Sequence, residues 1–94
     1  MSMMEKAVSA INEKVGGSFD GSVRFVIEGE GTILLDPQGA RVSDDPAEVT
    51  LTADQETFEA ILDGDLNPTS AFMTGKLSVD GDMAQAMKLA GALS

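Results

Sequence analysis

The sequence predicts an α+β domain: a five-stranded mixed sheet covered on one face by helices. Three observations predict it. Residues 3–15 space their apolar side chains at three and four, the period changes to two from Ser22, and beyond Thr52 helices interleave with one further strand. Three consecutive strands followed by strands separated by helices give a sheet that is neither wholly parallel nor wholly antiparallel.

The first helix rests on Met4, Ala7, Val8, Ile11 and Val15, one apolar stripe. Ser2 and Glu5 stand at capping-box spacing before it, and Gly16-Gly17 end it. In the next segment Val23, Phe25 and Ile27 alternate with Ser22, Arg24, Val26 and Glu28, a strand with one buried face. Gly29-Glu30-Gly31 is a tight hairpin connection to a second strand, Thr32–Asp36, with Ile33 and Leu35 on one face. Asp36-Pro37-Gln38-Gly39 has type I turn chemistry and leads to a short third strand, Ala40–Ser43. Asp44-Asp45-Pro46 interrupts the pattern before a fourth strand, Val49–Thr52.

Asp54 is placed to cap a helix over Gln55–Asp63 whose stripe is Phe58, Ile61 and Leu62, with Gly64 just past its end. Asn67 and Pro68 are cap and first residue of a short helix that Gly75 closes. Leu77 and Val79 alternate with Ser78 and Asp80 as a fifth strand. Asp82 and Gln85 again show capping-box spacing, before a Met-rich final helix.

Composition narrows the function. Ninety-four residues without a linker-like stretch make one domain, 1–94, of radius of gyration about 12 Å. The chain has no Cys, which removes disulfides, thiol catalysis and thiolate metal sites, and points to a reducing compartment. It has no His, which removes His-dependent triads and the commonest metal ligand. No apolar run approaches the roughly 18 residues of a membrane span, and the start lacks a secretion-signal pattern. The expected location is the cytoplasm. A net charge of −10, from 16 acidic and 6 scattered basic residues, argues against nucleic acid and for weak or no binding to anionic membranes. No feature specifies an oligomeric state.

Motifs that carry chemistry fail on inspection. Asp63-Gly64-Asp65-Leu66-Asn67 begins like a calcium loop, but Pro68 stands where the loop needs Gly and Thr74 where it needs a bidentate Glu. The carboxylate pairs Glu28/Glu30, Asp44/Asp45 and Asp80/Asp82 flank Gly or Pro in turns expected to be exposed, whereas acid–base catalysis needs a carboxyl held in a cleft. Gly29 and Gly31 lack the phosphate-binding pattern of a nucleotide loop. No nucleophile–base pair or cofactor motif remains, so the chain is read as non-enzymatic, without cofactor or metal.

The methionines have two readings. Met83, Met87 and Ala90 lie at i, i+4 and i+7, with Ala86, Leu89 and Leu93 widening that face. Such a face is ordinary core, or it is an adaptable binding surface, since Met is flexible and polarisable. Phe72-Met73 carries the same ambiguity.

From Asn67 to Leu89 the chain resembles the C-terminal signature of the sterol carrier protein type 2 family. Ala71-Phe72-Met73, Gly75-Lys76-Leu77, Gly81-Asp82-Met83 and Ala86-Met87-Lys88-Leu89 carry the resemblance, and Asp54, Phe58 and Gly64 match the middle helix. The resemblance implies a first-three-strand meander, helices on one face, and an apolar tunnel between sheet and helices. It implies carriage of fatty acids, acyl-CoA, phospholipids or sterols, so the expected partner is a lipid or fatty acyl ligand. Lining is expected from Phe58, Ile61, Leu62, Phe72, Met73, Leu77, Val79, Met83 and Met87, with Lys76 and Lys88 the basic residues nearby. Thr74 stands where family members often carry Gln near the ligand, and Gly91-Ala92-Leu93-Ser94 is not a peroxisomal address. The rival reading is a protein-interaction or scaffold domain whose pocket has closed into ordinary core.

Overall fold

In the computed structural model, which describes residues 3–93, the chain runs α1 (Met3–Val15), β1 (Val23–Glu28), β2 (Gly31–Asp36), β3 (Gly39–Val42), β4 (Val49–Asp54), α2 (Gln55–Leu62), α3 (Pro68–Met73), β5 (Ser78–Gly81) and α4 (Met83–Leu93). The five strands form one sheet in the order β3-β2-β1-β4-β5. β1 and β4 are parallel, and every other neighbouring pair is antiparallel. The mixed sheet and its initial meander are as the sequence predicts. The radius of gyration is 11.5 Å, against the expected 12 Å or so.

Strand register sets the core. Phe25 stands between Ile33 of β2 and Leu51 of β4, and Leu51 stands beside Val79 of β5. These side chains share one face with Val23, Ile27, Leu35, Val49 and Ala53, and that face packs on Ala7 and Ile11 of α1, Phe58 and Ile61 of α2, Ala71 of α3, and Ala86, Leu89 and Leu93 of α4. The helices therefore cover a single face. Burying this apolar surface at about 25 cal/mol per Å² is the main drive to fold.

The opposite face is not left wholly to water. Alternation predicts that Leu34 points away from the core, and it is excluded from the main cluster, yet it is buried. The reason lies in the connection from β3 to β4, which returns across the sheet. Arg24, opposite Leu34 in the β1–β2 register, donates from Nη1 to the Asp44 carbonyl at 3.5 Å, which places the returning segment over that face.

Local capping follows the sequence closely at two helices. Asp54 Oδ1 accepts from the Thr57 amide at 2.7 Å at the start of α2. That amide, then the Thr57 hydroxyl, hold the Asp54 carboxyl below the ordinary carboxylate range, with a smaller contribution from Lys76. Asn67 Oδ1 accepts from the Thr69 amide at 2.8 Å in the same way for α3. Ser2, the expected cap of α1, lies outside the described residues.

Several details differ from expectation: β2 and β3 begin one residue earlier, at Gly31 and Gly39, β3 ends at Val42, and β4 runs on to Asp54. α2 ends at Leu62, and Asp63 is its C-cap, its amide bonding back to Glu59 at 2.9 Å. Leu77 is not a strand residue: its amide donates to the Ala71 carbonyl at 3.1 Å, closing the turn after α3. At α4 half of the capping box forms. Asp82 Oδ1 accepts from the Ala84 amide at 2.9 Å, but the Asp82 amide is taken by the Glu48 carbonyl at 3.0 Å, so Gln85 turns away toward Gly21.

Gly81 joins β5 to β4 at close range. Its φ is +113°, and a Cβ there would lie 2.5 Å from the Glu48 carbonyl oxygen. Gly81→Ala therefore strains the backbone and collides with it, costing about 1–3 kcal/mol. The melting midpoint followed by circular dichroism is expected to fall by about 4 °C or more. An unchanged midpoint contradicts this reading of the β4–β5 junction.

Candidate functional site

The helical layer does not seal completely over the sheet. A cleft opens between α3 and α4, floored by Phe25 and Leu51 and walled on one side by Phe58 and Ile61 of α2. Its space open to the centre of a water-sized sphere is about 50 Å³, and the whole depression, solvent-filled mouth included, is about 550 Å³. The first figure corresponds to a few water molecules at roughly 10–15 Å³ each.

The floor is rigid. Phe25 is buried and meets Phe58 edge to face, with ring centroids 5.4 Å apart and planes at 84°. Leu89, fully buried on α4, closes the inner end together with Ala86 and Leu93. The mouth is different in kind. Phe72, Met83 and Met87 line it while remaining 42%, 46% and 61% exposed. Exposed apolar side chains gathered around one opening, rather than scattered singly, are a mark of a ligand groove or interaction surface.

The polar inventory of the lining is short. Thr69 supplies a hydroxyl, and every other lining side chain is apolar. At the starts of α3 and α4 the Thr69 and Ser70 amides already donate to Asn67, and the Ala84 and Gln85 amides to Asp82. Among the described residues no titratable side chain lines the cleft, so they offer general acid–base chemistry no group to work with there. Among the described residues no cluster of His, Cys, Asp and Glu is arranged to hold a metal ion.

Of the nine residues expected to line a tunnel, the structure brings Phe58, Ile61, Phe72, Leu77, Val79, Met83 and Met87 around this cleft. Leu62 and Met73 lie elsewhere. Leu62 faces a shallow, partly polar groove with Ala10, Glu13 and Lys14 of α1, because it is one residue round the α2 helix from Ile61. Met73, at the end of α3, is 79% exposed and points away from the cleft that its neighbour Phe72 lines.

The buried stripe of α4 is Ala86, Leu89 and Leu93, with Met83, Met87 and Ala90 on the flank toward the cleft. Met87 is thus a rim residue rather than core. Lys88 leaves the opposite flank: its Nζ donates to the Asp20 carbonyl at 2.7 Å, pairs with Asp20 Oδ2 at 3.2 Å and sits 5.4 Å over the Phe19 ring. It anchors α4 to the α1–β1 connection and does not reach the mouth. Thr74 is the C-cap of α3, and its hydroxyl donates back to the Ser70 carbonyl at 3.0 Å, so it too is absent from the lining.

The lining residues that sequence reasoning missed are chiefly Phe25, Leu51, Pro68, Thr69 and the small or aliphatic side chains of α4. The one available signal was strand order, which alone puts Phe25 and Leu51 side by side.

Residues 5–94 match the family model described as the SCP-2 sterol transfer family. Among individual proteins, the chain is 37% identical over 89 residues to hydroxysteroid dehydrogenase-like protein 2 of Xenopus tropicalis, covering 86% of this chain and 21% of that one. It is 37% identical over 83 residues to human sterol carrier protein 2, covering 82% of this chain and 15% of that one. The chain thus spans about a fifth or less of these curated relatives. Among solved structures, sterol carrier protein-2 of Aedes aegypti in complex with palmitate superposes with a TM-score of 0.80 at 23% identity, covering 100% of this chain and 97% of that one. Sterol carrier protein 2 like 2 of the same species gives 0.78 at 24%, over 95% and 94%. The shared five-stranded architecture and a family match across nearly the whole sequence lead to one conclusion: this chain belongs to the SCP-2 sterol transfer family.

Proposed function

We propose that the chain is a non-catalytic lipid-binding domain that takes a long acyl chain into the cleft between α3, α4 and the sheet, and passes it on. One observation carries the reading: an accessible cleft lined by apolar side chains, with a single hydroxyl and no charge among the described residues. Family membership supports it, and so does the palmitate complex of the Aedes aegypti protein with the same fold. Sterols and phospholipids share the tail chemistry that the cleft accepts.

The free interior is small, so the ligand makes its own room. Met83, Met87 and Phe72 sit at the mouth, and the flexible thioethers are the side chains best suited to yield. Burying about ten methylenes contributes roughly 8 kcal/mol gross at about 0.8 each. Association costs about 4–15 kcal/mol, so short chains barely bind, whereas micromolar affinity needs about −8 kcal/mol net. The interior of only about 50 Å³ also favours the rival reading, a scaffold domain whose pocket is ordinary core.

Titration of lipid-stripped protein with an environment-sensitive fluorescent fatty acid separates them. The absence of Trp and Tyr leaves a clean background. The carrier reading predicts saturable binding; a flat titration into the tens of micromolar supports the scaffold. The charge of −10 gives a second expectation: a fatty acid binds better than its CoA ester, and anionic membranes are avoided. Neither Lys76 nor Lys88 lines the cleft to offset the repulsion. The difference is expected to widen as salt is lowered and the screening length grows beyond about 8 Å. An ester that binds tighter, and tightest at low salt, contradicts it. A cytoplasmic setting completes the proposal; among the described residues no helix is long and apolar enough to cross a membrane.

A further inference from the structure

We infer that Met83 and Met87 form a peroxide-sensitive modification site at the mouth of the cleft, whose oxidation to the sulfoxide releases the bound lipid. The inference rests on the lipid-binding reading above. It starts from composition. The chain has no Cys, His, Trp or Tyr, so its six methionines are its readily oxidised side chains.

The structure then separates those methionines. Met3 and Met4 are half-buried against the core through α1. Met73, Met83 and Met87 are 79%, 46% and 61% exposed, and of these Met83 and Met87 line the cleft. The same two thioethers are therefore open to a dissolved oxidant and in the path of an entering acyl chain. They lie one helical turn apart on α4, on the same flank.

The chemistry needs one co-reactant, a hydroperoxide. Its O–O bond breaks as the terminal oxygen bonds to the methionine sulfur, which gives up two electrons. The proton of that oxygen passes to the departing alkoxide or hydroxide, so the peroxide leaves as an alcohol or as water. The oxidant is hydrogen peroxide in solution or an acyl hydroperoxide that enters as ligand. Both present the same O–O bond.

The consequence follows from the polar inventory. A sulfoxide is a strong acceptor, and among the described residues the cleft offers it one hydroxyl, that of Thr69. The nearby amides of Ala84, Thr69 and Gln85 already donate to Asp82 and Asn67. Covering the modified rim with an acyl chain then strips water from groups with nothing to replace it. Met73, exposed but outside the lining, is a control within the same molecule.

The test treats lipid-stripped protein with hydrogen peroxide in one arm and linoleic acid hydroperoxide in the other. Sulfoxides are located by peptide mass spectrometry, and fluorescent fatty acid affinity is measured before and after. Met83 and Met87 are expected to oxidise ahead of Met3 and Met4, with affinity falling about tenfold and returning after treatment with methionine sulfoxide reductases. A Met83→Leu/Met87→Leu double variant is expected to bind equally well before and after peroxide, whereas Met73→Leu stays sensitive. In the acyl hydroperoxide arm, Met83 and Met87 modified ahead of Met73 means delivery through the cleft, and Met73 modified as fast as they are, with Met3 and Met4 behind, means oxidant from solution. Either pattern supports the site, whereas Met3 and Met4 modified as fast as Met83 and Met87 contradicts it. Affinity that changes less than twofold with both residues fully oxidised overturns the inference, as does equal loss in the double variant. Unmodified protein that never binds the probe overturns the lipid-binding reading, and this one with it, before any peroxide is added.

Discussion

Phe58→Ala is expected to cost about 3–5 kcal/mol of stability, a large fraction of the roughly 5–15 kcal/mol that holds a domain of this kind together. Phe58 is 3% exposed and ties α2 to the sheet through its edge-to-face contact with Phe25. Its removal opens a cavity under a helix of only eight residues, too short to hold itself. Urea unfolding followed by circular dichroism reads the loss. A shift worth less than about 1 kcal/mol, small beside a normal aromatic truncation, contradicts the anchoring role.

Ala90→Trp has its largest expected effect on binding rather than on stability. Ala90 lies on the cleft flank of α4, half-buried, with open space in front of it. An indole there fills the mouth that an acyl chain needs. Fatty acid affinity is expected to fall at least about tenfold, since several methylenes lose their place at about 0.8 kcal/mol each. The melting midpoint is expected to stay within about 5 °C, because the added ring lies in the solvent-filled mouth, beside the flexible Met83 and Met87, rather than in packed core. Full affinity in the folded variant moves the ligand elsewhere on the molecule.

The fold was legible where local rules act alone. Alternation placed Val23, Phe25 and Ile27 on one face, and the Asp54 and Asn67 caps announced α2 and α3. Sequence reading failed where two elements compete for the same group. The Asp82 amide binds the Glu48 carbonyl rather than the Gln85 side chain, and Leu77 closes a turn rather than beginning β5. Leu34 is buried by a segment that no strand pattern reveals.

The cleft was legible in part for a related reason. α4 is apolar nearly all round, so periodicity does not say whether Leu89 or Met87 faces the core; only the docking of the helix decides. Phe72 and Met73 are adjacent and apolar, yet one lines the cleft and the other faces away. Phe25 and Leu51 read as ordinary strand core, and they become a cleft floor because α3 and α4 part above them.

Methyl NMR of protein labelled at the methionine methyl groups, titrated with palmitate, tests the central claim most directly. Assignment by single Met→Leu substitutions distinguishes the rim from α1. The account predicts that the Met83 and Met87 signals shift together as the fluorescent probe is displaced, while Met3 and Met4, on α1 and outside the cleft lining, stay still. Shifts confined to Met3 and Met4, or no shift at palmitate concentrations that displace the probe, would contradict the cleft as the binding site.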